Sequence, residues 1–225
     1  MGKMVKALIV AACLLLLTSG PVRADTDVHQ LINDSRTVVQ EIMTSSDKGV
    51  PLDLLKQSSG IAIVPALYKG GLVVGGSYGK GVVLARRNGS WSPPAFFRIG
   101  MGSIGFQIGL QKIQLLMVVV GQKTMDSFLK TKFKLGGDVA IAAGPVGARA
   151  SAAAEINFKG GIYSYSRTKG LFAGVSLEGA GIDALYKENK DYYGTTGSTK
   201  DILDGKVTVP VSGQRLIAEL EKYQK

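Results

Sequence analysis

From Gly60 to Val120 the chain repeats one pattern, short runs in which apolar residues recur at every second position with glycine set among them. A period of two belongs to the β-strand, whose successive side chains point to opposite faces of the pleat. The runs are Ile61 to Val64, Leu72 to Ser77, Gly81 to Arg86, Ala95 to Met101, Ile104 to Gln111 and Lys112 to Val120. The clearest is Ile104-Gly105-Phe106-Gln107-Ile108-Gly109-Leu110-Gln111, in which bulky residues take one face and Gly or Gln the other. A face of Gly and Gln is flat and polar, so it admits a ligand, another backbone or a closely packed helix. Glycine numbers 30 of 225 residues, about twice the ordinary ~7%, and follows no G-X-Y period, which favours tight turns and close strand packing.

A second β signal lies at 161–179. Two alternating runs are broken once at Thr168-Lys169-Gly170, so the stretch reads as a hairpin with a tight basic turn. Tyr163 and Tyr165 share a face with Arg167 on its first strand, and Leu171, Ala173, Val175 and Leu177 form an apolar row on its second. A cation-flanked turn beside two tyrosines suits an anionic, partly apolar partner such as a lipid head group.

Helical patterning falls outside these runs. Asp25 to Thr44 places Val28, Leu31, Ile32, Val39, Ile42 and Met43 on one stripe, with Asp27 and Gln30 as an N-terminal cap. Its polar face is not enriched in basic residues, with Asp27, Asp34 and Glu41 beside Arg36, so the stripe is expected to pack on the chain's own sheet rather than on a membrane. His29, on the first turn among polar neighbours, reads as solvated. Shorter helices are predicted at Pro51 to Ser58, Met125 to Lys130, Ile182 to Lys190, Thr199 to Leu203 and Ser212 to Tyr223, the last capped by Ser212. Between them, Phe133 to Leu135 reads as a strand, and Val139 to Gly144 and Ala150 to Phe158 are runs of small residues. The fold class is therefore α+β, a glycine-rich, mostly antiparallel, barrel-like sheet flanked by N- and C-terminal helices.

Residues 1–24 have the form of an export signal. Lys3 and Lys6 precede the apolar run Ala7 to Leu17, which is too short to span a bilayer, and Val22-Arg23-Ala24 fits a cleavage site. Cleavage is expected after Ala24, leaving residues 25–225 as a single domain of the cell envelope, periplasmic or envelope-associated. Val10-Ala11-Ala12-Cys13 is the alternative, a lipoprotein site.

The remaining motifs mostly exclude. Gly100-Met101-Gly102-Ser103-Ile104-Gly105 is a literal GxGxxG, but a strand follows where a dinucleotide site needs a helix N-terminus. Gly79-Lys80-Gly81 fails as a phosphate loop, because Val74 and Gly81 stand where Gly and Ser or Thr are required. With one His and one Cys there is no disulfide framework, cysteine zinc cluster or obvious triad, and the carboxylates Asp126, Asp138, Glu155 and Glu178 are isolated. Neither an enzyme nor a cofactor or metal site is indicated. A net charge of +10 calls for an acidic partner. Nucleic acid is disfavoured by the export signal and by the lack of exposed aromatics interleaved with cations. Basic residues fall instead at strand ends and turns: Lys69, Lys80, Arg86, Arg98, Lys112, Arg167 and Lys169.

Several stretches together resemble the SYLF-domain lipid-binding family. They are Ile63-Val64-Pro65 with Lys69-Gly70-Gly71, the run Gly75 to Gly81, Trp91 to Phe96, Gly102 to Gly109, Ala143 to Gly147, and the hairpin Tyr163 to Arg167 with Lys169 to Gly179. The resemblance implies a domain that binds phospholipids, phosphoinositides in its eukaryotic members, with actin binding in some. An exported chain meets neither cytosolic phosphoinositides nor actin, so anionic phospholipid is the expected partner. The expected lipid-binding residues are Lys69, Lys80, Arg98, Arg167 and Lys169 with Tyr163 and Tyr165. An alternative stays open, a structural or self-assembling envelope protein, including a homo-oligomer, that pairs through its flat Gly/Gln strand faces.

Overall fold

The computed structural model describes residues 27–45, 49–71, 74–104, 109–145, 159–172, 174–194 and 198–224. Strand β1 (Ser58–Gly71) runs through the middle of the sheet because both of its faces are apolar. Ile61 and Ile63 point to one side, Ala62 and Val64 to the other, and all four are fully buried. β2 (Val74–Arg87) and β5 (Gly109–Val120) pair with its two edges. β4 (Ala95–Ile104) pairs with the far side of β2, so the β1/β2 hairpin is nested inside the β4/β5 pair. The sheet continues beyond β4 through β10 (Gly181–Ala184) to β6 (Lys132–Lys134), and beyond β5 through β8 (Gly161–Thr168) to β7 (Ile141–Ala143). The short strands β3 (Ser90–Trp91) and β9 (Leu171–Phe172) pair with β2 and β8. Every one of these pairings is antiparallel except β7 on β8. The sheet curls strongly into an open half-barrel with helices at both ends of the chain, as the sequence pattern predicts.

One core lies on each face. On the first, α1 (Val28–Met43), α2 (Leu52–Lys56) and α6 (Val211–Glu221) bury Ile32, Val39, Ile42, Leu54, Leu55, Leu216 and Leu220 against Ile61, Ile63, Val82, Leu84, Phe96, Leu116 and Val118. On the second, α3 (Gln122–Asp126), a 3-10 turn (Ser127–Leu129) and α5 (Thr199–Leu203) cover Val64, Leu67, Val83, Phe97, Ile99, Leu115 and Met117 with Met125, Phe128, Ile202 and Leu203. Strands covered on both sides lose the apolar/polar alternation, hence the unbroken runs Ile61 to Val64 and Leu115 to Val120. The stripe of α1 packs on this sheet as expected, and the Asp27 carboxylate accepts the His29 backbone N–H at 2.9 Å.

β1 carries one extra residue against both neighbours between Ile63 and Tyr68. Pro65, with no N–H to give the ladder, sits in this bulge. The bulge pushes its carbonyls toward β2, which explains two glycines there. A Cβ at Gly81 would stand 2.3 Å from the Ile63 carbonyl oxygen, and one at Gly79 2.7 Å from that of Ala66.

Five local expectations are corrected. The runs at 72–77 and 81–86 form one strand from Val74 on, because Gly79-Lys80-Gly81 is a close approach and not a break. The run at 104–111 is divided: Ile104 ends β4, β5 starts at Gly109, and 105–108 lie outside the described residues, as do 1–26, 72–73 and all of 150–158. The second hairpin strand stops at Phe172, since the chain then dips under the sheet to bury Leu177, and the Gly179 N–H bonds the Leu135 carbonyl. Residues 181–184 form β10 instead of opening a helix, because Ile182 enters the second core between β4 and β6, and helix α4 spans Tyr186–Tyr193. Pro210, not Ser212, is the N-cap of α6. The Ser212 hydroxyl is engaged with Tyr192 instead.

Candidate functional site

Antiparallel pairing brings the last residues of β1, β4 and β8 and the first of β2 and β5 to one end of the half-barrel. Among the described residues there, Tyr68, Tyr78, Leu110, Gln111 and Lys112 are exposed. Directly paired residues share a face, which makes Gly100, Tyr78, Tyr68 and Lys112 one row across four strands. The next row toward the tip is Gly102, Gly76, Gly70 and Leu110. Tyr68 is 46% exposed, Tyr78 49% and Leu110 77%. On the opposite face Lys69 lies between Ser77 and Gln111. Lys169 and Gly170 make the β8/β9 turn with φ of 49° and 79°, the left-handed pair of a type I′ hairpin. Lys69, Lys112 and Lys169 join no ion pair among the described residues. This end therefore combines uncompensated ammonium groups with two phenol rings and a bare leucine.

The other three cations expected from the sequence lie further back and are neutralised. Lys80 and Arg98 are direct partners on β2 and β4. Lys80 Nζ donates to Glu188 of α4 at 2.9 Å, and Arg98 Nε to Asp183 of β10 at 3.0 Å, an aspartate that Lys132 also approaches at 3.7 Å. Arg167 donates to Glu41 of α1 at 3.2 Å and to the Gly170 carbonyl at 3.0 Å, with its guanidinium over the Phe172 ring. Its side chain is only 16% exposed. Arg167 thus braces the turn that displays Lys169.

Both hairpin tyrosines lie away from that turn. Tyr165 is buried against Leu116, its hydroxyl donates to the Pro145 carbonyl at 3.3 Å, and burial pushes its phenol pKa up, with Tyr163 adding to the shift. Tyr163 is half-buried and donates to the Lys159 carbonyl at 3.2 Å. The exposed rings at this end, Tyr68 and Tyr78, escaped sequence reading because strict alternation puts Tyr68 on the wrong face. Pro65 inside an apolar run was the available signal, since a bulge reverses the parity after it.

His29 is exposed but not merely solvated. Its Nδ1 lies 3.0 Å from the Ser212 hydroxyl, which is 2.8 Å from the Tyr192 hydroxyl, and the His29 and Tyr192 rings are 5.1 Å apart. Burial raises the Tyr192 pKa, and hydrogen bonds from Ser212 and the Gly213 backbone partly oppose it. Serine beside imidazole is half of a nucleophilic triad, but no carboxylate among the described residues orients the other ring nitrogen, and Asp27 holds only the backbone. The contact ties α1, α4 and α6 together. Among the described residues no group of three His, Cys, Asp or Glu could hold a metal ion, and no helix is long and apolar enough to cross a membrane.

Comparison with known proteins gives one consistent picture. The family model described as "Ysc84: Las17-binding protein actin regulator" matches residues 100–223. Protein YSC84 of Saccharomyces cerevisiae is 35% identical over 180 residues, covering 78% of this chain and 38% of the yeast protein. SH3 domain-containing protein PJ696.02 of Schizosaccharomyces pombe is 33% identical over 171 residues, with 74% and 40% covered. SH3 domain-containing YSC84-like protein 1 of Bos taurus is 31% identical over 180 residues, with 79% and 52% covered. The match thus spans about half or less of each relative's length.

Proposed function

This chain belongs to the Ysc84, or SYLF-domain, family, and from that premise we propose that it is a noncatalytic binding protein whose ligand is the anionic phospholipid surface. One observation carries the reading: Lys69, Lys112 and Lys169, without acidic partners among the described residues, stand at one sheet end beside exposed Tyr68 and Tyr78. Ammonium groups near an anionic leaflet each contribute about 1 kcal/mol, and tyrosine rings favour the interface, where one edge is apolar and the other wet. Lys80, Arg98 and Arg167, already paired, shape the surface rather than bind head groups directly. The family's description speaks of binding and regulation, not of a reaction, which accords with a noncatalytic role.

The same proposal places the protein in the cell envelope, with residues 1–24 removed after Ala24. There the actin machinery in the family's description is out of reach, and lipid is the partner at hand. Sedimentation tests this with protein beginning at Asp25, mixed with phosphatidylglycerol vesicles, phosphatidylcholine vesicles or actin filaments. The reading requires recovery with the first and little with the second. Equal recovery with both lipids, or pelleting with actin alone, overturns it.

A further inference from the structure

The site has an order in depth. Along β5 the outermost described side chain is Leu110, then Gln111 level with Lys69, then Lys112 level with Tyr68 and Tyr78, and finally Gln114 level with Arg167. A strand rises about 3.4 Å per residue, so the Tyr/Lys row stands ~7 Å behind Leu110 and the paired Arg167 ~14 Å behind. The sequence of chemistries is bare apolar, then aromatic with uncompensated ammonium, then neutralised ion pairs. A bilayer presents the matching sequence from its acyl boundary through the head groups to water, and interfacial elements sink their apolar face roughly 5–10 Å. Arg98 and Lys80 with their acidic partners lie on the watery side of the row.

We infer that the domain meets an anionic bilayer tip-first, with its strands steep to the surface, Leu110 in the acyl boundary and Tyr68, Tyr78 and Lys112 at the head groups. This rests on the lipid-binding reading above and adds its orientation and depth. Leu171 supplies an internal comparison. It is 74% exposed, much like Leu110, but pairs with Thr168 and so sits three residues further from the tip. Simple stickiness of exposed leucines treats the two alike, whereas tip-first entry separates them.

Cys13 is the one cysteine of the sequence, so protein beginning at Asp25 accepts single labels cleanly. Leu110→Cys, Leu171→Cys and Gln214→Cys, the last on α6, carry an environment-sensitive fluorophore and meet vesicles of phosphatidylglycerol and phosphatidylcholine in equal parts. Nitroxides placed at the head group or along the acyl chain read the depth. The expected result is quenching by acyl-chain nitroxide at 110, weaker and shallower quenching at 171, and none at 214. A companion Leu110→Asp variant binds about tenfold more weakly, the loss of one partly buried leucine. Vesicle binding with no quenching at 110, or with equal depth at 110 and 171, overturns the orientation and leaves the lipid reading standing. Failure of the unlabelled protein to bind these vesicles overturns both.

Discussion

Paired and unpaired cations take different parts in this molecule, and substitution separates them. Exchanging Lys69, Lys112 and Lys169 together for Gln removes three cations that no described carboxylate offsets, about 1 kcal/mol each near an anionic leaflet. Affinity for phosphatidylglycerol vesicles at low salt should fall by roughly a hundredfold while the thermal midpoint holds. Arg167→Gln acts on the fold instead. It breaks the Glu41 pair and frees the Gly170 carbonyl, and a loss of about 1 kcal/mol appears as a midpoint lower by ~2–4 °C in calorimetry. Reading the hairpin as an exposed edge predicts no stability change at Arg167; its 16% exposure reverses that expectation. Sequence made the cationic turn at Lys169-Gly170 legible, because only a tight hairpin explains the break in alternation there. It could not show which cations have partners, since Glu41, Asp183 and Glu188 come from elements distant in the chain.

At the scale of strands and helices, the glycines divide by what surrounds them. A Cβ at Gly81 meets the Ile63 carbonyl, so Gly81→Ala should destabilise by about 1–3 kcal/mol in chemical denaturation. Gly102 lies in β4 with nothing within 4 Å of a built Cβ and no left-handed φ, so Gly102→Ala should be neutral or slightly stabilising. Equal losses at both sites would refute the bulge as the source of the close approach. Helix contacts carry a pH dependence. Burial alone would raise the Glu219 pKa, but hydrogen bonds from Lys222, Gln40 and Tyr223 outweigh it and hold the carboxyl below its usual range. A depressed folded-state pKa gives stability that is present above the unfolded value of 4.5 and lost as the pH falls through the folded one. Glu219→Gln should therefore flatten the decline of the thermal midpoint below pH 4.5, and an unchanged slope would remove Glu219 from the linkage. Period and caps made α1, α5 and the central strands readable. β10 and the early end of β9 were not, because Ile182 and Leu177 are placed by the second core and not by local propensity.

The sheet is a half-barrel with helices packed on both faces, and at one end of it the described residues Tyr68, Tyr78, Leu110 and Lys112 are exposed. Its topology explains why the proposed lipid-facing end was only partly visible in the sequence. Lys69, Lys169 and Lys112 are far apart in the chain, and Tyr68 reaches the side of Tyr78 only through the extra residue near Pro65. Family resemblance supplied the class of fold and the proposed class of ligand, while the location of the exposed cationic end came from strand register. The central claim is electrostatic attachment to lipid through that end, and a salt titration tests it most directly. Binding of the protein beginning at Asp25 to phosphatidylglycerol vesicles is measured from low to high salt, beside the triple Lys69, Lys112 and Lys169 to Gln variant. The account predicts steep weakening with salt for the native protein and a much flatter, weaker curve for the variant. Superimposable curves would contradict it.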